Sequence, residues 1–313
     1  MLSAPGVALV MKAAIRALTL AIVLGTVTAT AQDKGTVDPK PLPPLANPND
    51  PATPAKELFG RATSAAPLSA RAVGSYAKGC VAGATALAVD GENWQVMRLS
   101  RNRNWGHPNL ISFLERLAKR VPEINGWPGL LVGDISQPRG GPMLTGHASH
   151  QVGLDADVWL TPMPDRRLSR QEREEMSATN LVREDWRDVD PSVYTKAHLA
   201  LIRAVSREPE VARIFVNAAI KRALCRDAGS ERDWLSKVRP MFGHNYHFHI
   251  RLSCPTGEEA CADQDPVPAG DGCGADLDKW FTPEMLKPKP AKPRPPMTMA
   301  QLPEECRRVL VAK

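Results

Sequence analysis

Apolar positions recur at helical spacing in some stretches of the chain and at strand spacing in others. In 109–121, Leu110, Ile111, Leu114 and Leu117 fall on one stripe of a 3.6-residue helix. Pro108 suits the first turn of that helix, where its missing N–H has no intrahelical partner to lose. In 191–207, Val193, Ala197, Leu201, Ile202 and Val205 repeat the pattern. Segments 129–135 (GLLVGDI), 153–160 (GLDADVWL) and 246–252 (YHFHIRL) read as strands, the last two with alternation. Segment 211–225 reads as a strand through IFVN followed by a short helix. The charged stretch 168–176 reads as a short surface helix. Strands and helices interleave without an internal repeat. The pattern predicts one mixed α and β domain over 57–281 with a sheet at its centre.

The flanks lack this pattern. Residues 32–56 hold seven prolines and few large apolar residues, which describes an extended spacer. Residues 283–303 hold seven more, mixed with Lys287, Lys289, Lys292 and Arg294. Such a stretch cannot bury enough surface to order itself and reads as a solvated stretch of a Pro/Lys-rich C-terminal tail, 282–313, that is anchored near Cys306. At the other end, Lys12 and Arg16 precede an apolar run over 17–25. The small residues Ala29 and Ala31 then flank Thr30, a fit to a signal-peptidase site. The run is shorter than the roughly 20 residues a bilayer span needs. Segment 1–31 is therefore expected to be a signal peptide, removed to leave an exported chain with no stable membrane insertion.

Export changes the meaning of the composition. Loss of Lys12 and Arg16, with no acidic residue between 1 and 31, lowers the net charge from +6 to +4. That is too weak a field to define a nucleic-acid binder. Six cysteines in an oxidising compartment are disulfides by default, and spacing alone leaves fifteen pairings open. No pair has the C-x-x-C spacing of a zinc knuckle. Cys80 and Cys306 lie near the two ends of the ordered region, and pairing them would tie both ends down.

Histidine carries the chemistry. Five of the seven sit in two clusters, GHASHQVGLDAD over 146–157 and HNYHFH over 244–249. On a strand, residues i and i+2 share a face. His247 and His249 therefore point together, as do Asp155 and Asp157, and His150 lies just before the Asp155–Asp157 strand. Two neighbouring strands can thus bring one histidine from the loop, one aspartate and one strand histidine to one centre. Two nitrogens and a carboxylate oxygen, completed by water, form a tetrahedral Zn2+ site. Zn2+ acidifies its water and polarises a carbonyl, and His247 is positioned to take the water's proton and return one to a leaving amine. His244 would stabilise the oxyanion. Ser149 is read as loop packing and not as a nucleophile. Asp155 either orients a ligand histidine or bonds backbone near the strand start. Arg139, beside Gly140 and Gly141, either clamps a substrate carboxylate or is a solvated turn residue.

GHASHQVGLDADVW followed by HNYHFHIRL resembles the penicillin-insensitive murein endopeptidase family, of the wider group of lysostaphin-like, D-Ala-D-Ala-peptidase and hedgehog metal domains. VGDISQPRGGPM over 132–143, ARIFVN over 212–217 and the cysteine spacing after 225 are similar too, so the resemblance covers roughly 75–306. It implies an α+β metallopeptidase domain with a central, mainly antiparallel sheet, flanking helices and long loops. It implies a zinc-dependent endopeptidase acting in the periplasm on the D-alanyl to meso-diaminopimelyl cross-links of peptidoglycan. The zinc ligands carried over are His150, Asp157 and His249, with His247 as general base and His244 as a second active-site histidine. A second metal in the family pattern would use His147 and an acidic residue such as Asp185. One position where that pattern carries a histidine is Asp188 here. The implied disulfides are Cys80–Cys306, Cys225–Cys273 and Cys254–Cys261. The rival readings are a zinc D-Ala-D-Ala carboxypeptidase and a non-catalytic wall-binding metal protein.

Overall fold

A computed structural model describes Met1, residues 34–287 and residues 295–313. Apart from Met1, the expected signal peptide lies outside the described residues, as do Lys289, Lys292 and Arg294 of the tail.

The strands are β1 (Arg71–Ser75), β2 (Lys78–Ala82), β3 (Thr85–Ala86), β4 (Asp90–Gly91), β5 (Trp94–Val96), β6 (Trp105–Gly106), β7 (Leu130–Val132), β8 (Asp155–Trp159), β9 (Val211–Val216), β10 (Val238–Pro240) and β11 (His247–Leu252). The helices are α1 (Ala55–Phe59), α2 (Pro108–Asn125), α3 (Arg170–Glu175), α4 (Lys196–Ser206), α5 (Ala218–Asp227), α6 (Ala275–Asp278), α7 (Pro283–Leu286) and α8 (Glu305–Val311). Seven strands form the central sheet in the order β10-β9-β11-β8-β7-β5-β4. The β10/β9 and β5/β7 pairs are parallel and the other neighbours antiparallel. The sheet is thus mainly antiparallel, and the fold is α+β.

Period-2 alternation divides the sheet into two chemically different faces. Phe248, Ile250 and Leu252 of β11, Ala156 and Val158 of β8, and Ile214 and Val216 of β9 are buried in the main apolar core. Helices α2, α4 and α5 contribute their apolar stripes to the same core. Helix α2 forms because its ends are closed as well as its face patterned. The His107 side chain accepts the Asn109 N–H at its start, and Gly126 takes the left-handed conformation at its end. Each fully buried large side chain of the stripe adds about 1.5–3 kcal/mol, so a polar residue at Leu114 would open the core. The opposite face of β8 and β11 carries Asp155, Asp157, His247, His249 and Arg251.

Three disulfides close the chain: Cys80–Cys306, Cys225–Cys273 and Cys254–Cys261. This is the pairing the resemblance implies. Cys80–Cys306 staples α8 onto the β1–β2 hairpin, where Phe59, Val73, Leu302 and Val309 make a small second core.

The structure departs from expectation in two places. The C-terminal stretch is not a solvated tail throughout. The Met297 carbonyl accepts the Ala55 N–H, Leu302 is buried, and α8 packs on β2. A covalent anchor and the buried Leu302 and Val309 overcome the local proline content. Helix α3 lies at the surface, with Arg170, Gln171 and Glu175 exposed, but its inner side buries two charged residues, Arg173 and Glu174. Among the described residues, no helix is long and apolar enough to cross a membrane.

Candidate metal centre

Strands β8 and β11 lie antiparallel, with His249 opposite Asp157, His247 opposite Trp159 and Arg251 opposite Asp155. Strand periodicity therefore delivers two histidines and two aspartates to one buried face. His150 arrives from the turn before β8 in a left-handed conformation, φ 67°. That conformation costs a non-glycine residue about 1–2 kcal/mol. It is held by the His150 N–H, which donates to Asp155 Oδ2 at 2.9 Å. His150 Nδ1–H donates to the Ile135 carbonyl, so in the neutral ring Nε2 presents its lone pair inward.

The centre of the cluster is the Asp157 carboxylate. Oδ1 lies 3.5 Å from His150 Nε2 and 3.3 Å from His249 Nδ1. Oδ2 lies 3.5 Å from His147 Nδ1 and 3.6 Å from His247 Nε2. These gaps are long for hydrogen bonds. They match the edge of a coordination tetrahedron, about 3.3–3.4 Å for ligand bonds of 2.0–2.1 Å. Asp157 Oδ1, His150 Nε2, His247 Nδ1 and His249 Nε2 are buried with no hydrogen-bond partner. An unsatisfied buried polar atom costs about 1–3 kcal/mol, and the two that face each other, Asp157 Oδ1 and His150 Nε2, call for a cation. Ligand atoms of His147, His150 and Asp157 all lie within 4.8 Å of one another, a grouping able to hold a metal ion. The imidazole and carboxylate donors suit a borderline ion such as Zn2+.

Two further aspartates brace the cluster from outside. Asp155 Oδ1 sits 3.2 Å from His249 Nε2 and accepts from Arg251 Nε at 2.7 Å, while Arg251 Nη2 donates to Oδ2 at 2.9 Å. Asp155 thus meets both readings left open for it: it faces a histidine ring and bonds a backbone N–H. Asp134 Oδ2 accepts from His147 Nε2–H at 2.9 Å, from Arg101 Nη1 at 3.0 Å and from Arg103 Nη1 at 2.9 Å.

Charge follows this geometry. Burial would lower the pKa of His249, but Asp155 and Asp157 hold it up at about 9. Burial pushes His247 down to about 3, against the pull of Asp157. Asp157 itself stays well below the usual carboxylate range, because the charges of His247, His150 and His147 outweigh its burial.

His244 completes the wall. Its φ is 50°, and its ring lies 4.7 Å from that of His247 and 5.9 Å from that of His249. Its Nδ1–H donates to the Phe242 carbonyl at 2.8 Å, and burial lowers its pKa to about 4. The resting ring is therefore neutral with a bare Nε2, which accepts and does not donate. Oxyanion stabilisation by His244 requires a proton that arrives during the reaction.

The six expected histidine and aspartate positions, His147, His150, Asp157, His244, His247 and His249, are thus neighbours. Two other expected residues are engaged differently. Asp185 is exposed, paired with Arg183 at 3.0 Å, and accepts the Arg187 N–H. Asp188 pairs with Arg226 at 3.0 Å. The acidic residue bonded to His147 is Asp134. Arg139 donates to the Ser64, Val309 and Leu310 carbonyls, so its guanidinium caps α8 and is not held ready for a substrate carboxylate. Asp134, Arg101, Arg103 and Arg251 were not anticipated. Arg251 had a signal, since H-x-H-x-R puts it on the histidine face.

Residues 72–311 match the family described as penicillin-insensitive murein endopeptidase. Curated proteins of that name are similar over most of the chain. The one from Haemophilus influenzae is 48% identical over 228 residues, 71% of this chain and 79% of its own. The one from Yersinia enterocolitica is 44% identical over 242 residues, 77% of this chain and 86% of its own. The one from Escherichia coli is 43% identical over 249 residues, 79% of this chain and 89% of its own.

Proposed function

The chain belongs to the penicillin-insensitive murein endopeptidase family, and on that premise we propose that it is a zinc-dependent endopeptidase cleaving D-alanyl to meso-diaminopimelyl cross-links of peptidoglycan in the periplasm. Segment 1–31 would direct export and be removed, leaving the spacer 32–56 ahead of the catalytic domain. The observation that carries the reading is the convergence of histidine nitrogens on Asp157, with Asp157 Oδ1 and His150 Nε2 buried and unpartnered.

In this proposal His150 Nε2, Asp157 Oδ1 and His249 Nδ1 hold the metal. When bound, zinc supplies Lewis acidity, polarising a scissile carbonyl and bringing a water's pKa toward about 7. His247 shares a strand face with His249 and is neutral at rest, so its ring can take the proton of the attacking water. It then gives a proton to the leaving amine. His244, neutral with a bare Nε2 at the opening, accepts a hydrogen bond from a substrate N–H and helps to orient the substrate. Asp155 and Arg251 hold the His249 ring while this happens.

The test is digestion of purified cross-linked and uncross-linked muropeptides, read by mass analysis. Dimers should fall to monomers, a chelator should stop the reaction, and added Zn2+ should restore it. Loss of terminal D-Ala from uncross-linked material alone would replace this reading with a carboxypeptidase. His247→Ala should keep about one equivalent of zinc and lose about 100- to 10,000-fold in hydrolysis. Full turnover in that variant would remove His247 from the general-base role.

A further inference from the structure

Phe242 is the most exposed aromatic side chain among the described residues, at 49%. It lies two positions before His244 in the wall of the metal centre, so their Cα atoms are at most about 7 Å apart. The loop that carries the ring is pinned on both sides of it. The Met241 N–H donates to the Val216 carbonyl at 2.8 Å, and the Asn217 N–H donates to the His244 carbonyl at 2.9 Å. The Asn217 side chain donates to the Gly243 carbonyl at 2.8 Å, and Asn217 is itself fixed as the cap of α5. The Trp280 ring lies against Phe242, with centroids 5.1 Å apart and planes inclined at 55°, within the range of a favourable aromatic pair. Trp280 packs on the main core, and the Arg222 guanidinium covers the ring of the next residue, Phe281. Met241, beside Phe242, is also exposed. The fold thus holds an apolar lip rigid and in water beside the reaction centre. Leaving such a lip uncovered forfeits the gain of burying it, and an exposed apolar patch marks a surface that a ligand completes.

We propose that Phe242, buttressed by Trp280, is a specificity-determining residue that packs against the methylene chain of the diaminopimelate at the scissile bond. This rests on the cross-linked peptide being the substrate. What covers the lip is continuous with the bond held at the metal centre and lies within about two residues of it, at roughly 3.3–3.6 Å per residue. The sugars of the glycan strand are separated from that bond by further residues of the stem peptide. The D-alanine methyl is close but short. The methylene chain adjoins the scissile amide through the carbon that carries the amine, and it has the apolar length to lie along a phenyl ring. A cross-link without such a chain would leave the lip bare. The lip therefore selects by apolar area, while the metal centre does the chemistry. Because the loop is already fixed, little ordering opposes binding. The contact is the same in the ground state and the transition state, so it acts on KM and not on kcat.

The experiment uses the zinc-loaded full chain and a cross-linked muropeptide dimer. Phe242→Ala should raise KM about 10-fold and leave kcat within about two-fold. It should keep its zinc and its unfolding midpoint. Phe242→Leu, which retains apolar area, should recover most of the loss. Calorimetry on His247→Ala, which binds the dimer without cleaving it, reads the contact itself. The heat-capacity change on binding should be negative, and smaller in magnitude once Phe242→Ala is added. An unchanged KM in Phe242→Ala, a loss confined to kcat, or an equal heat-capacity change with and without the ring would overturn the proposal. So would a KM loss that vanishes when the sugars are removed from the dimer, since that would assign the ring to the glycan. Each of these outcomes leaves wild-type cleavage, and with it the endopeptidase reading, standing. A wild type that leaves the dimer intact would bring down that reading and this one together.

Discussion

Two buried polar assemblies lie in this fold, and they obey opposite rules. Around Arg173 on α3, every guanidinium donor is satisfied. Nε donates to the Leu168 carbonyl, Nη1 to the Val89 and Val96 carbonyls, and Nη2 to Asp90 Oδ1 and Gln95 Oε1. Arg98 donates in turn to the Arg173 and Met176 carbonyls. Around Asp157, four buried atoms have no hydrogen-bond partner and two histidines have positive φ. Polar groups in a protein interior are ordinarily paired. The Arg173 assembly obeys that rule and ties α3 to the sheet edge. The Asp157 assembly breaks it, and two of its unpartnered atoms, His150 Nε2 and Asp157 Oδ1, are ones a metal would use. Strain and unsatisfied polarity that persist in a folded chain mark a site held ready for something else.

The largest effect should come from Asp157→Asn, which removes the shared carboxylate while keeping its shape. Zinc affinity should fall by more than the roughly 10- to 100-fold typical of losing an outer partner, and hydrolysis should fall to background. Zinc at 100 times its Kd should stabilise wild type by about 2.7 kcal/mol and the variant hardly at all. Without metal, the variant's unfolding midpoint should move less than that of any Arg173 variant. Calorimetry with and without zinc reads both quantities. A large loss of metal-free stability would mean that the Asp157 cluster also supports the fold, and the contrast would fail.

Arg173→Met is the converse. It removes a buried cation whose partners are five oxygens, and breaking such a network costs about 3–5 kcal/mol. The folded fraction should still bind zinc and hydrolyse cross-links at wild-type rate per folded molecule. Denaturant titration with parallel zinc analysis checks this. A loss below about 1 kcal/mol, or a loss of zinc from folded protein, would show that the two assemblies are not separable.

Much of the centre was legible because its spacing is strand spacing. H-x-H and D-x-D each place two side chains on one face, and antiparallel pairing then puts His249 opposite Asp157. The outer braces were less legible for a physical reason. Asp134 lies just past a three-residue strand, and Arg101 and Arg103 lie in and just after a short 3-10 turn. No periodicity links those segments to β8. The burial of Arg173 was hidden in the same way. RQEREE reads as surface, and most of it is, but carbonyls, Gln95 and Asp90 gathered around Arg173 make its burial tolerable. Arg139 sat in a flexible basic loop by composition, but the C-terminal helix it caps is 170 residues away. The tail's anchor at Cys306 was legible, but the burial of Leu302 and the bond from the Ala55 N–H to the Met297 carbonyl were not, because local composition does not show what they meet.

Lys221 gives the smallest effect per step of the measurement, one pH unit, and the sharpest test of what satisfaction means. It is buried on α5 and donates to the Leu235 carbonyl at 2.7 Å and the Asp271 carbonyl at 2.6 Å. It therefore resembles Arg173 in having partners, but no carboxylate is among the atoms it bonds. Burial, reinforced by Arg239, pushes its pKa down to about 7. The unfolded value is about 10.4. Between those two values the unfolded chain binds a proton that the folded chain does not, so folding stability rises with pH across that window. The slope from this one group is at most about 1.4 kcal/mol per pH unit. Below pH 7 its contribution is flat, and so it is above the unfolded value. Lys221→Met cannot titrate and should lack the slope. Urea unfolding of both proteins at intervals from pH 7 to the alkaline end should show wild type gaining on the variant as pH rises. Parallel curves would mean that two carbonyls hold the ammonium as well as the five oxygens hold Arg173, and the line between the two assemblies would then rest on orphaned atoms alone.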